Sequence, residues 1–132
     1  YYSALGESDE KMLLARAIQM FMPGKPQVWY LDLFAGKNDH EAVRRAGESG
    51  HKEINRTNLS TDQIAEDLKK DVVQKQLALI RMRNTHKAFS EGAEVAISGG
   101  ESSLQIRWEY NSAFATLNVN FESGTYTIVE SR

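Results

Sequence analysis

The side chains best equipped to do chemistry fall in one stretch, Gly50-His51-Lys52-Glu53-Ile54-Asn55-Arg56, which sets an imidazole, two cations, a carboxylate and an amide in sequence. Such a set can donate to and accept from the hydroxyls of a polar ligand, Lys as a point charge and Arg as a planar fork. It follows a short apolar run by one short helix, which is where barrel enzymes build their sites. From the residues alone, a charged loop is a weak signal and a solvated loop is the simpler reading. Other constellations give less. His40, His51 and His86 stand apart without H-x-x-x-H spacing, so no metal site is expected and exposed polar residues are the simpler assignment. Ser and His occur without a nucleophile elbow. Gly36-Lys37 lacks the spacing and the following Ser or Thr of a phosphate loop and reads as a turn.

Composition narrows the partners. With 16 basic and 18 acidic residues interspersed along 132, the formal charge is -2, which leaves no electrostatic footprint for nucleic acid or an anionic membrane. Small neutral or singly charged ligands remain open. Cysteine is absent, which excludes thiolate chemistry and a disulfide framework. Neither a membrane span nor a signal peptide is legible, and the expected location is the cytoplasm. The first residue is Tyr1 rather than Met, so a processed chain or a piece of a longer one is expected.

The elements that must position the polar stretch can be read in order. Ser8 reads as an N-cap with Asp9 and Glu10 in the first turn. Met12, Leu13, Ala17, Ile18, Met20 and Phe21 then mark a buried helix that Pro23-Gly24 stops. From Gln27 to Phe34 the chain is apolar without alternation, the pattern of a strand covered on both faces in a parallel sheet, although periodicity alone does not exclude a buried helical turn. No second run of this kind lies beside it in the chain. Asp39 can cap a short helix through Ala46, with Gly47 as its stop, and a polar loop follows to Asn58. Ser60 with Gln63 fits a capping box for one long helix to about Arg83, or two joined near Asp71. From Gly92 the period becomes two: Val95 and Ile97; Leu104, Ile106, Trp108 and Tyr110; Ala115, Leu117, Val119 and Phe121; Tyr126 and Ile128. Gly99-Gly100, Asn111-Ser112 and Ser123-Gly124 punctuate these runs. That pattern predicts a four-stranded antiparallel meander covered by the preceding helix.

Several ordered runs carry a resemblance: Tyr1-Tyr2-Ser3-Ala4-Leu5-Gly6, the Ala15-Arg16-Ala17 helix, Pro23-Gly24-x-Pro26-Gln27-Val28-x-Tyr30, Ala35-Gly36-Lys37-Asn38-Asp39 and Ile54-Asn55-Arg56. Together they resemble the C-terminal part of the sucrose phosphorylase-like subfamily of glycoside hydrolase family 13. The fold class implied is an α+β fragment. Residues 1–88 are then the C-terminal portion of a (β/α)8 barrel with its final helices, its eighth strand running from Gln27 to Phe34, and residues 89–132 are a small C-terminal antiparallel β domain.

The resemblance also implies chemistry. Family members transfer an α-glucosyl group to inorganic phosphate with retention, using an Asp nucleophile, a Glu acid/base and a second Asp, and no cofactor. It places those carboxylates on barrel strands before Tyr1, so no catalytic residue is expected in this chain and none is expected to act without the rest. What the chain would supply is a substrate-binding loop: His51, Lys52, Glu53, Asn55 and Arg56 correspond to the family's Gly-Arg-Asx-Ile-Asn-Arg loop, whose first Arg contacts glucose. Here that Arg gives way to His51-Lys52, with one residue more and Glu53 for the usual Asp or Asn. Lys52 is then the expected sugar contact, with Asn55 and Arg56 anchoring the loop. Trp29 replaces a Tyr and Asp32 a Gly, and Asp32 is expected to cap the following loop. The implied partners are a small sugar and phosphate, with acceptors other than fructose, such as glycerate or another polyol, left open. Two other readings stand beside it: a hydrolase or transglucosidase of the same superfamily, and a non-catalytic α+β interaction module.

Overall fold

The structure, a computed structural model, describes the backbone of residues 1–132 and every side chain but that of Ser49. The Ser8 hydroxyl accepts from the Lys11 amide at 3.3 Å and opens α1 (Asp9–Phe21). A single turn, α2 (Tyr30–Leu33), comes next. Asp39 accepts from the Ala42 amide at 2.8 Å and starts α3 (His40–Ala46), which runs into a 3-10 segment, Gly47–Asn55. Ser60 caps α4 (Thr61–Asp67), and α5 (Asp71–Thr85) follows. A 3-10 turn, Lys87–Phe89, leads into β1 (Glu94–Gly99), β2 (Ser103–Tyr110), β3 (Ala113–Asn120) and β4 (Thr125–Glu130), an antiparallel sheet in the order β1-β2-β3-β4.

The register puts the expected apolar residues on one face. Val95 lies opposite Trp108, Ile106 opposite Leu117, and Val119 opposite Tyr126. That face closes on α1 and α5 through Ala17, Met20, Phe21, Leu79, Ile106 and Leu117, all buried. The Trp108 indole donates to the Phe21 carbonyl at 2.6 Å. Arg83 lies over the rings of both Trp108 and Phe89, at 4.2 and 4.7 Å, and donates to the Gly24 carbonyl. A second cluster of Met12, Leu13, Ala35, Val72 and Val73 joins the other side of α1 to α5. The architecture is α+β, as expected, and no helix is long and apolar enough to cross a membrane.

Two local expectations are corrected, and one left open is decided. The segment from Gln27 to Phe34 is not one continuous strand: the backbone is extended at Trp29 and turns helical over Tyr30–Leu33. Leu33, Phe34 and Gly36 amides instead donate to Trp29, Tyr30 and Leu31 carbonyls in a helical turn, with Ala35 left-handed at φ 52. Of the two readings for Ser60 to Arg83, two helices joined near Asp71 is the one observed: Lys70 adopts extended geometry between them, and the Gln74 side-chain amide takes up the freed Leu68 carbonyl at 2.6 Å. The capping box is half made. Ser60 accepts from the Gln63 amide, but the Gln63 side chain turns forward to Asp67 at 2.9 Å.

The core also holds two polar residues. Arg16 of α1 is 2% exposed and Gln76 of α5 is fully buried. Arg16 Nε donates to Gln76 Oε1 at 2.9 Å, and Gln76 Nε2 donates to the Leu33 carbonyl at 3.0 Å and, at longer range, to that of Asp32. Burial pushes the Arg16 pKa down from its ordinary value, with Tyr1 and Asp32 acting in the opposite direction.

Candidate functional site

The polar stretch forms the far arm of a closed turn. After α3, the 3-10 segment doubles back so that the Asp39 amide donates to the Ile54 carbonyl at 2.8 Å. Gly50 sits at the crossing. A Cβ there would lie 2.7 Å from the Ala46 Cβ and 2.8 Å from the Val43 carbonyl oxygen, so the close approach requires glycine. The arm is fastened from outside through its main chain. The Trp29 indole donates to the Asn55 carbonyl at 2.8 Å, and the Tyr30 hydroxyl to the Thr57 carbonyl at 2.9 Å.

The five side chains singled out in the sequence therefore share one rim, in two roles. Glu53 and Arg56 face each other at 3.5 Å, both about half exposed. His51 and Lys52 are exposed, and neither makes a side-chain hydrogen bond or ion pair among the described residues. Asn55 contributes its carbonyl. Asp32, expected to cap the following loop, gives that loop no side-chain hydrogen bond among the described residues; its main-chain carbonyl accepts from the Ala35 amide at 3.1 Å. Trp29 and Tyr30 are the supports of this rim that sequence pattern did not single out, since nothing local links Trp29 to a loop 26 residues away. Among the described residues, no three His, Asp or Glu side chains gather closely enough to share a metal ion.

No family model matches the chain. It is 52% identical over 128 residues to sucrose 6(F)-phosphate phosphorylase of Ilumatobacter coccineus, covering 97% of this chain and 24% of that protein. Over 131 residues it is 43% identical to sucrose phosphorylase of Agrobacterium vitis, covering 99% of this chain and 26% of that protein. The crystal structure of sucrose 6F-phosphate phosphorylase from Thermoanaerobacter thermosaccharolyticum superposes on the whole chain with a TM-score of 0.91 at 41% identity, over 26% of its own length. The chain belongs to the sucrose phosphorylase family. It spans about a quarter of the length of the curated relatives it matches, and the part matched is their C-terminal part. In this sucrose phosphorylase-family segment, a continuous core crosses the sequence division at residue 88: Ala88 is fully buried among side chains of α1, α5 and the sheet.

Proposed function

We propose that the chain is the C-terminal portion of a cytoplasmic, retaining α-glucoside phosphorylase, in which residues 1–88 complete a (β/α)8 barrel and residues 89–132 form the appended β domain. In this reading the carboxylates of the double displacement lie outside residues 1–132, phosphate is the co-substrate, and the rim from His51 to Arg56 forms part of the glucosyl subsite. Lys52 contacts the sugar hydroxyls, while Glu53, Asn55 and Arg56 hold the rim's shape. The observation that carries it is the division of labour on the rim: the main chain is fastened by Trp29, Tyr30 and Asp39, while the Lys52 ammonium is exposed and uncommitted among the described residues. A solvated loop needs no such fastening. Phosphorolysis is favoured over hydrolysis because the relatives are named as phosphorylases.

The test is glucose 1-phosphate formation from sucrose and from sucrose 6F-phosphate with phosphate. The enzyme carrying this segment is expected to form it, and the 132-residue chain alone is expected to form none. Release of glucose without glucose 1-phosphate by the larger enzyme would overturn the phosphorylase reading in favour of hydrolysis.

A further inference from the structure

We propose that Arg16 and Gln76 are positioning residues for the glucosyl rim, gripping the segment from Gln27 to Leu33 by its carbonyls and so setting the seat on which the rim rests. The proposal rests on the functional reading above. Both side chains are essentially without solvent exposure, and burying polar groups costs stability unless their hydrogen bonds are made. The network is incompletely satisfied, since Arg16 Nη2 has no partner among the described residues. Well-packed apolar residues at both positions would be the simpler way to stabilise a helix pair. What an apolar pair cannot do is hold main chain. Gln76 donates to the Leu33 carbonyl, and Arg16 donates through Nη1 to Gln19, whose amide donates to the Gln27 carbonyl at 2.8 Å.

The gripped carbonyls flank Trp29 and Tyr30. Within residues 1–132, the side chains of α1 and α5 that hold this segment's carbonyls are those of Gln19 and Gln76. Trp29 and Tyr30 in turn hold the carbonyls of Asn55 and Thr57. A continuous set of contacts therefore runs from the centre of α5 through Gln76 and Leu33 to the rim, and loosening it moves Lys52 without touching it.

The test uses the full-length enzyme carrying this segment and separates packing from positioning. Gln76→Leu leaves the buried Arg16 Nε without its acceptor and is expected to lower the melting temperature. The double variant Arg16→Met with Gln76→Leu removes both polar partners, and its melting temperature is expected to return toward that of the unmodified enzyme. Its KM for sucrose is nevertheless expected to stay raised by about two- to tenfold, the worth of one neutral hydrogen bond, with kcat little changed. Amide exchange within residues 28–33 and 54–57 should remain faster than in the unmodified enzyme. Recovery of exchange and KM together with melting would show that the pair only packs, and would overturn the proposal. Faster exchange with unchanged KM would keep the grip but overturn the rim as a sugar site, so the two readings fail separately. If the double variant does not fold, Gln76→Glu supplies the same comparison. It keeps an acceptor for Arg16 and loses the donor to Leu33, so unchanged exchange and KM there would also overturn the proposal.

Discussion

Trp108 and Trp29 make the same bond, an indole N–H to a main-chain carbonyl, in opposite settings. Trp108 is 8% exposed, reaches Phe21 at 2.6 Å, and is covered by Arg83 and Phe89. Trp29 is 45% exposed and reaches Asn55 at 2.8 Å, with Tyr30 tilted against it at 5.0 Å. In the first case the hydrogen bond satisfies a polar atom inside a packed joint, and the apolar area removed from water supplies most of the stability. In the second, little area is buried and the bond mainly fixes where a loop runs. The molecule thus has a joint that stabilises and a rim that positions, and substitutions in the two regions should separate stability from binding.

The largest effect is expected at the joint. Trp108→Ala removes a large buried side chain, leaves the Phe21 carbonyl unpaired and uncovers Arg83, so unfolding free energy should fall by about 3–5 kcal/mol. Denaturant titration of the enzyme reads this directly, and a loss below about 1 kcal/mol would place the joint among ordinary surface contacts. On the rim, Lys52→Ala is expected to leave melting unchanged and to lower kcat/KM for the glucosyl donor about ten- to a hundredfold, the worth of one charged hydrogen bond of about 1.5–3 kcal/mol. Unchanged kcat/KM would remove Lys52 from the sugar contact. The two regions should also differ without any substitution. In the 132-residue chain, amides from Val28 to Leu33 should exchange faster than those from Leu104 to Tyr110, which lie inside a paired ladder on the core. Equal protection would mean that the gripped segment is as stable as the sheet.

The joint was more legible in the sequence than the rim, for physical reasons. Period-two alternation with Gly and Asn at the turns fixes a meander locally, and Asn111 and Gly124 do adopt positive φ, at 54° and 66°. Ser8, Asp39 and Ser60 act as caps because a cap needs only its next three residues. The apolar run from Gln27 to Phe34 reads as a strand yet turns helical from Tyr30, because such a run does not distinguish a strand from a buried turn and the distinction depends on partners far away in sequence. The Arg16–Gln76 contact is not legible locally, although each residue occupies a position on an apolar stripe, Arg16 between Met12, Leu13, Ala17 and Met20, and Gln76 between Val72, Val73 and Leu79. A polar residue in such a stripe is the signal that was there to be read. The rim's residues were legible as a polar cluster, whereas their fastening was not, because the atoms fastened are main-chain carbonyls that carry no sequence identity.

The smallest effect is expected at Arg56, and it tests how finely the rim divides its labour. The resemblance assigns this residue to loop order, and the structure gives its guanidinium a single carboxylate, Glu53 at 3.5 Å, with both partners about half exposed. An ion pair in that setting contributes about 0–1 kcal/mol, and salt screens it further. The loop's path meanwhile depends on bonds to the carbonyls of Ile54, Asn55 and Thr57, which Arg56→Ala leaves in place. The variant should therefore melt within about 1 kcal/mol of the unmodified enzyme and lose no more than severalfold in kcat/KM, with the difference shrinking as salt is added. Loss of sugar binding comparable to Lys52→Ala, without a change in melting, would transfer the sugar contact to Arg56 and make Lys52 the solvated member of the pair.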